Sequence, residues 1–341
     1  MGEIVTIRDI ARDANVSVST VSRVMNGTAI VSDDLRERVM MSVRRLHYRP
    51  NAAARSLITK RSDVIAVLEA DMLNPVTTMI LKEIDAYCSQ RGKIMMTCDY
   101  GNNNDKAVVL LNNLLERNVD GVVFMGVVLE EKILQKLGEF SCPVVLAQQG
   151  EEGGRCRFTT ITDNSYQAEK DVASFLIHEN HRRIAFIGGA AADYTNEKLR
   201  LQGFLDAMEE NGLDIPTTYV VQTEFSMEGG RQGMRRIYEN NLQLPTAVVT
   251  GSDLIAAGAI RYLKEMGMKV PEDISVFGFD DSVGDLFEIP LSTVRSYDRG
   301  KLICERLFAA DEEAEREKEW IYYPYRVLRR SSTRRAAIKQ D

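Results

Sequence analysis

From residue 62 onward, apolar runs of strand length alternate with helical stretches, and this alternation occurs in two successive sets. Such alternation is typical of parallel sheets with helices on both faces. The sequence therefore predicts an α/β core of two doubly wound parallel subdomains. Ligands of such sheets bind beyond the C-terminal strand ends, so the cleft between the two lobes is the expected site. The predicted strands are VIAVLEA (64–70), IMMTC (94–98), GVVFMG (121–126) and PVVLA (143–147) in the first set, and RIAFIGG (183–189), YVVQ (219–222), TAVVTG (246–251) and ISVFGFDD (274–281) in the second. The predicted helices lie near 76–91, 104–118, 129–137, 165–180, 195–211, 227–240 and 253–267.

The first 48 residues follow a different pattern, which predicts three short helices joined by tight turns. Thr6, Ser17 and Ser32 each precede an apolar-periodic stretch and are placed to cap a helix. Asn26-Gly27 ends the second helix. Two short helices joined by a three- or four-residue turn form a helix-turn-helix, so this segment is predicted to be a small all-helical domain.

The second of these helices, within VSVSTVSRVMNG (16–27), has two chemically different faces. Valines face the other helices, whereas hydroxyls and one arginine, Arg23, face outward. A helix in a DNA major groove needs short hydroxyls for phosphate and base contacts and an arginine for guanine or phosphate. The alternative is a helical bundle with a hydroxyl-rich solvated face. The inward residues are Val16, Val21, Val24 and Met25, and the outward residues are Val18, Ser19, Thr20, Ser22 and Arg23.

Charge is distributed unevenly along the chain. Residues 1–60 contain ten Lys/Arg and six Asp/Glu, a net charge of +4, and the total of −7 leaves −11 for the remainder. A basic head on an acidic body favours contact of the head with a polyanion.

Length and composition indicate a soluble protein of more than one domain. The chain has 341 residues, of which 44% are hydrophobic and 27% charged, and it has no apolar run of 18 residues, so no transmembrane helix is expected. The N-terminus is charged from Glu3 and does not resemble a signal peptide. The cysteines are odd in number and unpaired in sequence, which favours reduced thiols in the cytoplasm. They are Cys88, Cys98, Cys142, Cys156 and Cys304.

A short segment, RPNAAARSLITKRSD (49–63), joins the head to the core. Pro50 ends the preceding helix, and Asn51 can cap a two-turn helix that runs to Leu57. Such a helix is too short to persist alone in water, so we expect it to fold when DNA or a partner supplies contacts.

The head motifs together with DGVVFMG, HRRIAFIGG, LRLQGF, PTAVVTGSD, VPEDISVFGFDD and PLSTVRSYDRG resemble the LacI/GalR family of bacterial transcription regulators over residues 4 to about 332. The resemblance implies a homodimer on a pseudopalindromic operator, with the second helix in the major groove and Leu57 as a wedge in the minor groove. The DNA-binding residues that it implies are Thr6, Ser17, Val18, Ser19, Thr20, Ser22, Arg23, Asn26, Asn51, Ala54, Arg55 and Leu57.

The same resemblance implies the domain boundaries. The head covers 1–48, the hinge helix and linker 49–61, and a core similar to periplasmic sugar-binding proteins 62–333, followed by a tail (334–341). Crossover strands near 161–163, 291–296 and 320–325 would divide the core. Lobe 1 would comprise about 62–161 and 294–321, and lobe 2 about 162–293 and 322–333.

The resemblance also implies an effector pocket for a small molecule, a sugar or a sugar derivative. LRLQGF places the ligand-binding arginine at Arg200, and FGFDD places the ligand-binding aspartate at Asp280. An arginine and a carboxylate suit vicinal hydroxyls, because both make charge-assisted hydrogen bonds. The chain departs from the family where DMLNPVTTM loses aromatics and TGSDLIAAG has a serine in place of asparagine. The full set of expected effector-binding residues is Asn74, Thr77, Arg200, Phe225, Ser252 and Asp280.

An alternative mode of control remains open. The stretch NNNDKAVVLLNNLLERNVDGVVFMG is similar to the catabolite-control branch of the family, whose regulator uses a phosphorylated carrier protein as corepressor. Tyr297 and Asp298 match its contact segment, but Glu305 stands where that branch has an arginine, and an acid would repel a phosphoserine. A small-molecule effector is therefore favoured over a phosphoprotein.

The sequence disfavours two other classes of protein. An enzyme is disfavoured because G-x-S-x-G, G-x-G-x-x-G, P-loop and H-E-x-x-H motifs are absent, and His47, His178 and His181 fit helix ends or surface positions. An extracytoplasmic sugar-binding protein would have a signal peptide and no helix-turn-helix. The sequence predicts no catalytic residue, no metal ligands and no cofactor.

Overall fold

The computed structural model describes residues 5–26, 31–48, 61–126, 129–151, 156–189, 193–283, 288–309 and 318–337, apart from the side chain of Asn26. The chain divides into two compact units, Met1–Ser62 and Asp63–Asp341. The first unit contains the helical head, and the second contains the three sheets of the core.

The head consists of α1 (Ile7–Asp13), α2 (Val18–Asn26) and α3 (Asp33–Arg45). The Asp9 carboxylate accepts hydrogen bonds from the backbone N of Thr6 (2.9 Å) and from its hydroxyl (2.6 Å), which fixes the start of α1. Ser17 Oγ accepts from the backbone N of Thr20 at 3.1 Å, as its capping role predicts. Ser32 occupies the N-cap position of α3, as predicted. The prediction that its side chain caps the helix was wrong, since it makes no capping hydrogen bond with a described residue.

The head packs around a small apolar centre. Ile10, Val21 and Val39 are fully buried, one from each helix. A hydrogen bond connects α3 to the turn before α2, since the Arg38 guanidinium donates to the carbonyl of Ala14 at 2.7 Å. These contacts join three helices that would each be too short to persist alone.

Lobe 1 is a six-stranded parallel sheet in the order β11-β5-β4-β3-β1-β2. Its central strands are buried on both faces, as expected for a sheet covered by helices on either side. The elements are β1 (Val64–Glu69), α4 (Pro75–Gln90), β2 (Ile94–Asp99), α5 (Asn104–Glu116), β3 (Gly121–Met125), α6 (Glu131–Leu137), β4 (Val144–Ala147), β5 (Thr159–Thr162), α11 (Arg299–Ala309) and β11 (Trp320–Tyr322).

Lobe 2 is a four-stranded parallel sheet in the order β7-β6-β8-β9. A π-helical turn, Tyr194–Lys198, precedes α8, so the single helix predicted near 195–211 begins with a wider turn than expected. The elements are α7 (Ser165–His178), β6 (Ile184–Gly188), α8 (Leu199–Glu210), a 3-10 turn (Thr217–Tyr219), β7 (Val220–Gln222), α9 (Met227–Asn240), β8 (Ala247–Thr250), α10 (Asp253–Glu265) and β9 (Ser275–Phe277).

Three chain crossings connect the lobes. The chain leaves lobe 1 after β5, and β10 (Thr293–Ser296) and β12 (Tyr325–Leu328) pair antiparallel as a two-stranded ribbon. The segment between the ribbon strands returns to lobe 1, since α11 packs on α4 and β11 pairs with β5. The helical head and the two parallel sheets confirm the predicted fold class. Among the described residues, no helix is long and apolar enough to span a membrane.

Candidate functional site

The outward face of α2 presents the residue types predicted to contact DNA. Val18, Ser19 and Arg23 are exposed, while Val21 and Val24 on the opposite side are buried. Thr6 and Ser17 are exposed, and Thr20 and Ser22 are half-buried beside them. The side chain of Asn26 and the hinge positions Asn51, Ala54, Arg55 and Leu57 lie outside the described residues.

A cavity of about 690 Å³ lies between the two lobes of the core, within the size range of small-molecule sites. It opens at the C-terminal ends of strands next to the points where strand order reverses, β1/β3 in lobe 1 and β6/β8 in lobe 2. Most of its lining residues have polar or charged side chains. The lining residues are Ala70, Asp71, Asn74, Val76, Thr77, Tyr100, Asn102, Asn104, Met125, Gly126, Glu130, Gln148, Asp163, Asp193, Asn196, Arg200, Glu224, Phe225, Ser226 and Asp280.

Arg200 and Asp280 meet in the lobe 2 wall of this cavity. Arg200 is the second residue of α8, is 3% exposed, and lies over the Phe279 ring with 3.6 Å from its Cζ to the ring centroid. It donates a hydrogen bond to the carbonyl of Gly251, and its Nη2 lies 3.9 Å from Asp280 Oδ1. The geometry gives a positioned guanidinium beside a carboxylate.

A second buried arginine, Arg299, reaches the same carboxylate. Its Nη2 lies 3.2 Å from Asp163 Oδ1 and 3.6 Å from Asp280 Oδ1. Asp163 follows β5, Arg299 begins α11 in lobe 1 and Asp280 follows β9 in lobe 2, so the group connects a crossover to both lobes. Sequence reasoning missed both Asp163 and Arg299. Arg299 directly follows the Tyr297-Asp298 pair singled out in the sequence, but no local pattern indicates that it is buried.

Two aspartates in this network have opposite pKa shifts. Burial raises the pKa of Asp280 to about 7, although Arg200 and Arg299 act to lower it. Burial also acts to raise the pKa of Asp163, but the two arginines and the Ser296 hydroxyl bring it below its usual value. Asp163 is therefore the ionised partner of Arg299, and Asp280 titrates near neutral pH.

Two further carboxyls in lobe 2, those of Glu169 and Glu197, are fully buried. Burial raises the pKa of Glu169 to about 8 and that of Glu197 to about 7. Glu197 accepts hydrogen bonds from the backbone N of Gly189 (2.5 Å) and from Gln222 Nε2 (3.0 Å). Neither carboxyl oxygen of Glu169 has a partner among the described residues. This part of lobe 2 holds more carboxyls than its arginines neutralise.

Phe225, Asn74 and Thr77 also line the cavity. The Phe225 ring packs so closely on Gly189 that a Cβ there would lie 2.1 Å from it. Asn74 caps α4 from lobe 1, its Oδ1 accepting from the backbone N of Val76 at 2.9 Å, and Thr77 is 5% exposed. The cavity thus has an aromatic ring on one side and amide and hydroxyl groups on the other.

Ser252 is placed differently from the expectation. It precedes α10 and caps that helix, its Oγ accepting from the backbone N of Ile255 at 3.2 Å. It does not belong to the described cavity lining. Its hydroxyl satisfies a backbone N–H at the start of this helix.

The groups that could have suggested catalysis are separated or otherwise bonded. Asp281 pairs with Arg330 at 2.6 Å, on a different side from Asp280. His181 Nδ1 lies 2.9 Å from Thr246 Oγ1, and its Nε2 lies 2.9 Å from the carbonyl of Arg334. Within the described part of the chain, no group of three or more His, Cys, Asp or Glu is arranged to hold a metal ion.

Comparison with known proteins gives a consistent assignment. Residues 6–51 match the bacterial regulatory proteins of the lacI family, and residues 173–333 match the periplasmic binding protein-like domain. Catabolite control protein A of Priestia megaterium is 31% identical over 333 residues, covering 97% of this chain and 99% of that protein. The transcriptional repressor PurR of Photorhabdus laumondii is 36% identical over 278 residues, covering 81% and 80%.

Solved structures of similar fold include further regulators. The lac repressor dimer bound to operator and the anti-inducer ONPF has a TM-score of 0.87 at 24% identity, covering 97% of this chain and 100% of that one. A complex of the regulator CelR with cellobiose has a TM-score of 0.73 at 26% identity, covering 96% and 99%. The chain belongs to the lacI family of bacterial transcriptional regulators.

Proposed function

We propose that this regulator is a repressor of carbohydrate-metabolism genes, which binds operator DNA as a homodimer and is controlled by a polar small molecule in the cavity between the core lobes. The proposed control by an effector rests on one observation, which is that residues from both lobes line the same cavity. Lobe 2 contributes Arg200, Asp280 and Phe225, and lobe 1 contributes Asn74 and Thr77. Together they offer donors, an acceptor and an apolar ring, which a sugar or sugar derivative needs. One similar structure supports this effector class, since the regulator CelR was solved with cellobiose bound.

The DNA half of the proposal is supported by the outward face of α2. A helix that buries its valines while exposing serine, threonine and arginine can enter a major groove with short polar groups and one base-reading side chain. Arg23 is exposed and makes no ion pair with any described residue. It is therefore the side chain that we assign to base or phosphate contact. No catalytic role is proposed.

The DNA half is tested with an operator selected from a random duplex pool. The full chain should bind it with an affinity that falls steeply with salt, because phosphate neutralisation releases counterions. Residues 62–341 alone should stay folded and dimeric and should not bind it. Sequence-specific binding by 62–341 would contradict the proposal.

Arg23→Ala should cost about 1–3 kcal/mol of operator binding and relax the base preference at one position. A matched control is Arg36→Ala, which removes the same charge from an exposed position of α3. The control should lower affinity for all sequences alike. An unchanged base preference in Arg23→Ala would remove Arg23 from direct readout.

A phosphorylated carrier protein as corepressor is the second candidate, and one observation favours it. Arg295 and Arg326 are direct cross-strand neighbours on the ribbon, and both lie over the Tyr297 ring, at 5.1 and 5.8 Å. Facing like charges repel each other; Asp281 Oδ2 lies 3.5 Å from Arg295 Nη1 and offsets part of this charge, and a phosphate would offset the rest. Glu305 on α11 opposes this function, as the sequence indicated. Binding of a serine-phosphorylated carrier protein that Arg326→Ala abolishes would make this the leading function.

A further inference from the structure

The walls of the interlobe cavity are strongly acidic. Six carboxylates line it against one guanidinium, that of Arg200, and the remaining polar lining is amide or hydroxyl. A cleft lined by one sign of charge between low-dielectric walls concentrates ligands of the opposite sign. The six carboxylates are Asp71, Glu130, Asp163, Asp193, Glu224 and Asp280.

Basic side chains neutralise part of this charge. Glu130 pairs with Lys132 at 3.0 Å, and Asp163 pairs with Arg299 at 3.2 Å. Asp280 is 3.6 Å from the same Arg299 guanidinium, so one cation there serves two carboxyls. These groups need no further cation from a ligand.

The other three carboxylates form no salt bridge with a described residue. Asp193 is 1% exposed and accepts hydrogen bonds from Asn196, at 2.9 Å from the backbone N and 3.0 Å from Nδ2, and from the Thr195 backbone, while Arg200 acts on it through its charge alone. Asp71 accepts from the backbone N of Leu73 at 2.9 Å, and Glu224 is exposed at the rim. A buried carboxylate that forms no salt bridge is a favourable neighbour for a cation.

Arg200 indicates, independently of the carboxylates, that the ligand also carries hydrogen-bond acceptors. Its side chain is 3% exposed and faces the cavity, and its Nε has no hydrogen-bond partner among the described residues. A buried N–H needs an acceptor, which a hydroxyl oxygen supplies. The cavity therefore calls for a ligand that carries both a cation and neutral oxygen acceptors.

We propose that the effector is a hydroxylated molecule with a protonated amine, the chemical class of amino sugars and amino polyols. The inference rests on the proposed effector site and specifies what that site selects. The ammonium group gives three donors to the carboxylates of the wall, with Asp193 as its buried partner, and the hydroxyls meet Arg200. The face of the Phe225 ring can also attract the cation. A phosphorylated sugar would meet the same carboxylates with the wrong sign of charge.

The test uses sugars that differ in one substituent. The full chain is titrated by calorimetry with the 2-amino, neutral and 6-phosphate forms of glucose, galactose and mannose, after a thermal-shift screen of the same nine compounds. At least one amino sugar should bind about tenfold or more tightly than its neutral form, and the phosphates should bind more weakly still. A neutral or phosphorylated sugar that binds as tightly as its amino form, or the failure of every amino sugar to bind, overturns the proposal.

Charge variants test the assigned carboxylates. Asp193→Asn should bring the affinity of the amino sugar close to that of the neutral form, and Asp71→Asn, at an exposed position, should reduce the preference if the buried variant does not fold. The control Glu116→Gln removes one charge from the exposed side of α5 and should leave the preference unchanged. If both aspartate variants keep the preference of the wild type for the amino sugar over its neutral form, the proposal is contradicted.

Different results would exclude the amine class and the cavity itself. Tight binding of a neutral sugar that Arg200→Ala abolishes would overturn the amine class and leave the cavity as the effector site. Binding of any sugar that neither Arg200→Ala nor Asp193→Asn affects would overturn the site itself.

Discussion

Arg200 and Asp280 lie side by side in the cavity wall, with 3.9 Å between Nη2 and Oδ1. This distance allows an ion pair but is too long for a hydrogen bond. Asp280 Oδ1 is also 3.6 Å from the Arg299 guanidinium, again beyond hydrogen-bond length. The carboxylate is thus held electrostatically and keeps acceptor capacity for a ligand hydroxyl.

Arg200→Ala and Asp280→Ala should each weaken effector binding about tenfold to a hundredfold. Removal of one partner of a buried charged hydrogen bond costs about 1.5–3 kcal/mol, and 1.4 kcal/mol corresponds to a factor of ten in affinity. Calorimetric titration of each variant measures the change. Arg261→Ala, an exposed arginine on α10 paired with Glu265, is the control and should bind the effector normally. Wild-type affinity in both cavity variants would place the effector site elsewhere.

Stability should fall as the pH rises from about 5 to about 8. Burial raises the pKa of Glu169 from 4.5 to about 8, of Glu197 from 4.5 to about 7 and of Asp280 from 3.8 to about 7. The folded chain therefore holds protons that the unfolded chain has released, and this stabilisation is lost as the pH approaches the folded-state pKa values.

The measurement is the melting temperature of the core in a series of buffers across this range. Glu169→Gln is neutral at every pH and should flatten the decline. The exposed Glu209→Gln should leave it as steep as in the wild type. A melting temperature that rises steadily from pH 5 to 8 would contradict the assignment of protonated buried carboxyls.

Gly189→Ala should weaken effector binding about as much as Phe225→Ala does. A Cβ at Gly189 would lie 2.1 Å from the Phe225 ring, so the ring must move out of its place in the cavity wall. Side-by-side titration with the same ligand compares the two variants. Full affinity in both would show that the ring does not contact the ligand.

Ile10→Ala should unfold the head and leave the core intact. Ile10 is fully buried among the three helices, and such a truncation costs about 2–5 kcal/mol, a large share of the stability of a unit this small. Operator binding should be lost while the melting of the core is unchanged. Val18→Ala, at a position 42% exposed, should keep the head folded. Normal operator binding by Ile10→Ala would contradict this packing.

Most of the fold could be predicted from the sequence because long apolar runs determine it. Each of the eight strands predicted from such runs overlaps an observed strand, as VIAVLEA does β1. The runs do not reveal β5, β10, β11 and β12, which are three or four residues long and form no long apolar run. Their approximate positions came from family resemblance.

The candidate site was less predictable because it depends on contacts between distant residues. Arg200 and Asp280 occur in recognisable motifs, but Arg299 meets Asp163 across 136 positions of sequence, and no local pattern indicates this. Glu169 lies on a helix that carries other charged residues and would be read as exposed, yet it is fully buried. Ser252 was expected in the pocket because of its motif, while its local geometry makes it a helix cap.

The central claim is that a small molecule in the interlobe cavity controls operator binding by the head. It is tested most directly by fluorescence anisotropy of the full chain on its selected operator, with and without the ligand that gives the largest thermal shift, in the wild type and in Asp280→Ala. The account predicts that saturating ligand changes the operator Kd of the wild type by about 5- to 150-fold, the usual range of allosteric coupling, and that the same ligand concentration has little effect on Asp280→Ala. An operator Kd that the bound ligand leaves unchanged in the wild type would contradict it.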